Sequence, residues 1–281
     1  GPLERGRRGV YVKRLWLRTG SDLRGAGYGP FDGLRALVQG PDGEARTIDP
    51  FRADAGAGLR FEMPEEGFYN AFLIDQGVHD GVLRTTVQKA EVLKHSCGEG
   101  HDPAFIHSRM PPRTTGEVPF EVVRERLPDE DFHTRVRSGD RVTFRVLTEG
   151  RPAAGATVEL VSDSGWRKRV TADGEGRATF ELVQDYHPDW TEFEKRHRQG
   201  YLVLAEYRTD KSGSHQGADY HSAVYRASLP GSYFPAERAY MSYLYGLGVM
   251  LLALLVGTGL VYHFRLRQRR PGPREDLDER A

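Results

Sequence analysis

A chain of 281 residues with 40 basic and 40 acidic side chains carries no net field, which excludes a general attraction for nucleic acid or an anionic lipid surface. Apolar residues make up 38%, enough for a buried core, and 33 glycines with 16 prolines dispersed along the chain favour short strands and turns over long helices. A single cysteine excludes an internal disulfide and any paired-cysteine zinc or redox motif.

The chain opens GPLERGRR without an apolar leader, so an export signal is expected upstream of Gly1. Over the first half, strands are predicted at 10–17, 34–38, 45–48, 59–63, 69–74 and 82–92, with Gly40, Pro41, Asp42 and Gly43 as a turn. Residues 1–127 are read as an N-terminal β-rich domain. Proline-rich 110–113 and acidic 128–131 bracket its joint with the next.

Within this half, KHSCGEGHDPAFIHSRM at 94–110 gathers His95, Cys97, His101, His107 and Met110. Imidazole, thiolate and thioether donors suit nickel, cobalt, copper or zinc, and not magnesium or calcium. The spacing matches no established zinc or blue-copper pattern. The plain alternative is a buried cysteine among surface histidines. Asp219 and His221, or His187, are the candidates to complete a shell from the second half.

Residues 128–234 carry the clearest alternation. Strands are predicted at 141–147, 156–161, 168–172 and 177–182, the last two joined as a hairpin through Asp173, Gly174, Glu175 and Gly176. Segment 201–207, YLVLAEY, is apolar nearly throughout, as for a strand covered on both faces, and 221–229 closes the series. Short strands at this density imply an immunoglobulin-like β-sandwich, and the less regular first half a second one. Between the strands, 185–197 reads as a short helical insertion, with Trp190, Phe193 and His197 on one packed face.

From 244 to 264 the chain has no Asp, Glu, Lys or Arg. Twenty-one residues at 1.5 Å each give about 30 Å of helix, the hydrocarbon thickness of a bilayer. Tyr240, Tyr243 and Tyr245 at one end, with Tyr262 and Phe264 at the other, suit interfacial belts. Arg265, Arg267, Arg269 and Arg270 then place the tail 265–281 in the cytoplasm and everything before the span outside. The fold class expected is therefore all-β, two sandwiches followed by one transmembrane helix at 240–264. Gly246, Ala253 and Gly257 share one helix face, where small residues let a partner helix approach.

The run GDRVTFRVLTEGRPAAGATVEL at 139–160, followed by TADGEGRATF at 171–180, resembles the membrane-proximal part of bacterial periplasmic proteins that accompany nickel and cobalt uptake systems. The similarity covers 130–281 well and the first half loosely. It implies a β-rich exported protein with a C-terminal anchor in the bacterial inner membrane. The same pattern of an added module also marks carboxypeptidase-regulatory and transthyretin-like sandwiches.

No HExxH, GxSxG or Gly-Lys phosphate-loop pattern occurs, and nothing in the sequence argues for an enzyme. The expected function is that of a periplasmic accessory subunit, anchored in the lipid bilayer beside an integral-membrane complex and binding or delivering nickel, cobalt or copper. The alternative is a non-catalytic scaffold subunit of a respiratory or electron-transfer complex. A third reading, a ligand-binding module, would use Trp166, Tyr186 and Trp190.

Overall fold

Alternating side chains decide where the strands form. Between Arg141 and Thr148, Val142, Phe144 and Val146 are buried while Arg141 is exposed, so one side of the strand is apolar and the other wet. A computed structural model describes residues 3–5, 10–18, 20–21, 23, 33–53, 56–95, 102–110, 114–185 and 198–268. It divides into two compact units, Gly1–Pro235 and Ala236–Ala281.

In chain order the first unit contains β1 (Leu3–Arg5), β2 (Tyr11–Trp16), β3 (Arg35–Gln39), β4 (Ala45–Thr47), β5 (Phe51–Ala53) and β6 (Gly56–Met63). Then come β7 (Gly67–His79), β8 (Val82–Lys94), a short helix α1 (Pro103–Arg109), β9 (Phe120–Arg124), β10 (Arg141–Thr148) and β11 (Arg151–Pro152). The series closes with β12 (Thr157–Ser162), β13 (Arg167–Thr171), β14 (Arg177–Glu181), β15 (Gln199–Thr209), β16 (Gly213–His215), β17 (Ala218–Tyr220) and β18 (Ser222–Tyr233). Strands account for 51% of the described residues, the β-rich character expected.

The organising element is an eight-stranded sheet in the order β13-β12-β15-β18-β8-β7-β3-β4. Its seam is the parallel pairing of β18 with β8, from Ser222 opposite Val82 to Ser228 opposite Gln88. Strands from both halves of the chain thus form one sheet. The division expected between 127 and 128 does not coincide with any break in it. A parallel pair needs a long crossover and leaves no local turn signal in the sequence.

Each face of this sheet buries a different core. Leu37, Phe72, Ile74, Val87, Val158, Val203 and Tyr225 pack with Phe120, Val122, Phe144 and Phe180 of the second sheet, which joins β9, β10, β11 and β14. Ala36, Val38, Tyr69, Ala71 and Leu73 face the other way, onto Leu59, Phe61 and Met63 of the sheet β1-β2-β6-β5. The alternation of Ala36, Leu37 and Val38 between the two cores is the two-residue strand period itself. At roughly 25 cal/mol per Å² of apolar surface removed from water, these two interfaces dominate the stability of the unit.

Two local expectations change. The strands flanking Asp173–Gly176 do not pair with each other: β13 pairs with β12, and β14 with β10. The turn is a corner between sheets. Gly176 has φ +74°, and a Cβ there would lie 2.5 Å from the Val146 carbonyl oxygen, so only glycine fits the crossing. Strand β15 is buried on one face only, with Tyr201, Val203 and Ala205 inward and Leu202 and Leu204 half-exposed. The helical insertion expected at 185–197 lies, from 186 on, outside the described residues.

The second unit contains α2 (Glu237–Gln268). Its stretch Leu244–Gln268, 25 residues, is long and apolar enough to cross a membrane, and none of its residues is buried. Large apolar side chains such as Leu252, Leu255 and Val261 are exposed all along it, as a lipid-facing helix requires. Thr258 donates to the Leu254 carbonyl at 2.7 Å, which satisfies its hydroxyl within the helix.

Candidate functional site

The expected donor run begins where β8 ends. Lys89, Glu91, Leu93 and His95 alternate onto one face of this strand and its extension, the face turned toward β9. Here the core turns polar. Lys89 donates to Glu121 Oε1 at 2.8 Å with both side chains almost fully buried, and Glu91 Oε1 lies 3.5 Å from the same ammonium. Burial pushes the Glu121 carboxyl above its ordinary value, against the pull of Lys89.

Beyond this pair, Arg124 at the end of β9 makes a bidentate bond to the buried carboxylate of Glu130, with Nη1 to Oε2 at 2.8 Å and Nη2 to Oε1. Glu130 Oε2 also accepts from the Leu127 amide at 2.8 Å, and its carbonyl accepts from Arg126 Nη2 at 2.7 Å. These contacts fix the turn that follows. The Asp131 carboxylate accepts from the His133 amide and from the Thr134 hydroxyl, each at 2.8 Å. The Thr134 hydroxyl bond holds the Asp131 carboxyl below its usual range, with the His133 amide adding to it.

The turn delivers two rings to His95. Phe132 is buried against the Phe68 ring, centroids 6.4 Å apart, and against the His95 imidazole at 5.2 Å. His133 brings its Nε2 to 3.2 Å from His95 Nε2, with the rings at 83° and their centroids 4.6 Å apart. Glu66, preceding β7, places Oε2 4.0 Å from the other ring nitrogen of His95.

Of the predicted donors, His95 is therefore joined to an imidazole that the sequence reading did not include. Cys97 and His101 lie outside the described residues. His107 is exposed on α1, and its Nδ1 faces Arg126 Nη1 at 2.9 Å. A guanidinium only donates, so His107 Nδ1 must accept, which puts the neutral ring's proton on Nε2 and leaves no free nitrogen lone pair for an ion. Met110 is 4% exposed, a packed side chain at the end of α1.

The helix α1 itself follows from Asp102, whose carboxylate caps the Ala104 amide at 3.1 Å, and from Pro103 in the first turn. Its other end is held to the sheet: Arg109 pairs with Glu65, and Gly67 leaves room for the Arg109 backbone. The candidate partners Asp219 and His221 belong elsewhere. His221 donates its amide to the Gly81 carbonyl at 2.9 Å, at the Val82 end of β8. Twelve residues at about 3.3 Å separate that end from Lys94, about 40 Å along the strand. His187 lies outside the described residues.

Among the described residues no three His, Cys, Asp or Glu side chains converge on one point. The larger cavities, about 540 and 660 Å³, lie along the half-exposed face of β15 and β18 around Thr86 and Arg226, and none of the predicted donors lines them. No protein-family model and no curated protein matches this sequence. The sequence signal that would have found His133 is its place in DEDFH, an acidic turn followed by an aromatic residue and a histidine.

On α2, Gly246 and Gly257 have nothing within 4 Å of where a Cβ would stand.

Proposed function

We propose that this protein is an anchored accessory subunit of an integral-membrane complex. The β-rich unit would work on the outer, periplasmic face of a bacterial inner membrane, with the arginine-rich tail in the cytoplasm, and would bind or deliver nickel, cobalt or copper for uptake. The observation that carries this reading is the junction at Pro235 and Ala236, where a β unit with two buried cores gives way to a wholly exposed apolar helix. The resemblance of 139–180 to nickel and cobalt accessory proteins supports the uptake role, and the soft donors of 94–110 support the metal. An immunoglobulin-like topology for the β9–β18 half is part of the same proposal, resting on its two facing sheets.

Gly246, Ala253 and Gly257 are the proposed contact with a helix of the complex. The competing reading is a scaffold subunit of a respiratory or electron-transfer complex that binds no ion. It is favoured by the buried Lys89–Glu121 and Arg124–Glu130 pairs, which brace sheets without offering an open site.

Three experiments decide. A topology reporter fused at residue 235 and another after 268 tests the orientation, and a cytoplasmic signal from the first discards export. Metal analysis of the full chain in detergent, with Cys97→Ser and His101→Ala beside it, tests the cargo. Absence of bound or titratable nickel, cobalt, copper and zinc discards the metal. A gentle extract that co-purifies redox subunits instead of a permease favours the scaffold.

A further inference from the structure

Resting on the accessory-subunit reading above, we infer that the free edge of β13 takes up an extended acidic segment of the partner complex as an added strand, with carboxylates at alternate positions beside Arg167 and Arg169. The eight-stranded sheet ends in β13 on one side and in β4 on the other. Strand β4 has 3 residues, too short to template much pairing, whereas β13 has 5, Arg167–Thr171. Among the described residues no strand pairs with the outer side of β13.

The register shows which backbone groups this edge presents. The Ser162 amide donates to the Trp166 carbonyl, and the Ala172 amide to the Ala156 carbonyl, each at 2.8 Å. Between these bonds Leu160 lies opposite Lys168 and Val158 opposite Val170. Residues along an antiparallel pair alternate between facing the neighbour and facing away, so Arg167, Arg169 and Thr171 turn their N–H and C=O groups away from β12. Spaced two residues apart, those groups form the ladder that a further strand needs.

Side chains decide what kind of strand fits. Arg167, Lys168 and Arg169 are all exposed. On the inner side β12 already supplies a carboxylate: Glu159 stands opposite Arg169, with one oxygen 3.5 Å from Arg167 Nη1 and the other 3.5 Å from Arg169 Nη2. The Asp173 carboxylate, past the end of β13, is turned to the Glu175 and Arg177 amides. Glu159 alone does not balance the cations of the edge. A guanidinium has several N–H donors in a fixed fork, so both arginines keep donors for an acidic neighbour on their other side. They project to one face of the sheet and Lys168 to the other, which makes acid-x-acid the matching pattern.

A second copy of this chain is a poor occupant. Strand β13 paired with itself sets cation against cation, and like charges directly opposite are destabilising. Charged edges ordinarily keep sheets from joining. Here the charge is of one sign, so it turns copies away and admits an acidic strand.

The probe is a fluorescent, capped peptide of alternating glutamate and threonine, added to the full chain in detergent at low salt. Its controls are the lysine–threonine counterpart and the same acidic peptide N-methylated along its backbone, which keeps the charge but cannot extend a sheet. The acidic peptide is expected to bind at least tenfold more tightly than either control. It should slow amide exchange at Arg167, Arg169 and Thr171 at least tenfold and leave the Lys168 and Val170 amides, which already face β12, within twofold. Arg167→Glu combined with Arg169→Glu is expected to reverse the preference toward the lysine peptide. Thr171→Pro keeps both arginines and removes one outward N–H, a change that an edge strand tolerates, and is expected to weaken the acidic peptide at least fivefold. Thermal melts of each variant report folding separately. Equal binding of the N-methylated peptide, or binding that leaves exchange at the three outward amides unchanged, overturns the added strand. Co-purification separates the two readings. Wild type that takes up the peptide but brings down no membrane complex overturns the accessory role and leaves the edge site, whereas a complex retained equally by wild type and the charge-reversed variant overturns the edge and leaves the accessory role.

Discussion

His95 and His107 lie twelve residues apart in the same donor-rich run, yet their surroundings are opposite in sign. His95 meets a second imidazole and a carboxylate. His107 meets a guanidinium. Proximity in sequence therefore says little about which side chains meet in the fold. What sorts them is the element on which each is mounted and the charge that element faces: β8 turns His95 toward the acidic 128–134 turn, while α1 turns His107 toward Arg126.

The heaviest way to break this contrast is to release the turn. Glu130→Ala leaves Arg124 buried without its carboxylate and is expected to cost about 3–5 kcal/mol, read by urea denaturation. In a protein that remains folded at low temperature, it also loosens the contact of His133 with His95 and leaves His107 unaffected. Glu121→Ala is expected to cost about 3 kcal/mol, because it leaves the Lys89 ammonium in the core with only the longer Glu91 contact. Replacing both partners, Lys89→Met with Glu121→Leu, is expected to recover most of that loss, since two buried charges are exchanged for apolar volume. A double variant as unstable as the single one would show that this pair does more than brace the sheets.

Smaller changes sharpen the contrast. Asp131→Ala removes the caps on the His133 turn and is expected to cost roughly 1 kcal/mol. The Asp131 carboxyl is held below its unfolded value of 3.8, so its contribution is present above that pH and is lost as pH falls through the lower folded value. Amide exchange at His133 and Thr134 should rise across that acid window in wild type and be fast already in Asp131→Ala. At the low end, His107→Ala on the exposed face of α1 is expected to shift stability by less than about 0.5 kcal/mol. A larger loss would mean that the Arg126 contact anchors the helix.

Much of the fold was legible from neighbours along the chain. The alternation in 141–147 corresponds to β10, the run 34–38 to β3, and 82–92 to β8, which extends to Lys94. Small strands such as β5 and β11 carried too few residues to show a period. Strand β9, FEVVR, was missed because it is buried throughout and does not alternate. The Asp173–Gly176 corner looked like a hairpin because the glycine conformation a corner needs is also the one a hairpin needs. Of the site, His95 was visible as a donor, whereas its partner His133 sits 38 residues away, just past the acidic run 128–131 that was read as bracketing a joint.

By itself the sequence determined the β character of the first unit, the positions of most of its strands and the apolar helix at its carboxyl end. Those properties are carried by side chains a few residues apart, where polar and apolar groups must alternate or persist for the segment to hide from water. Only the tertiary structure decided that β18 would lie beside β8, that one sheet would serve both halves of the chain, and that His133 would meet His95. Strands join through backbone amides and carbonyls that nearly every residue offers alike, so which edge finds which is settled by the packing of the whole unit.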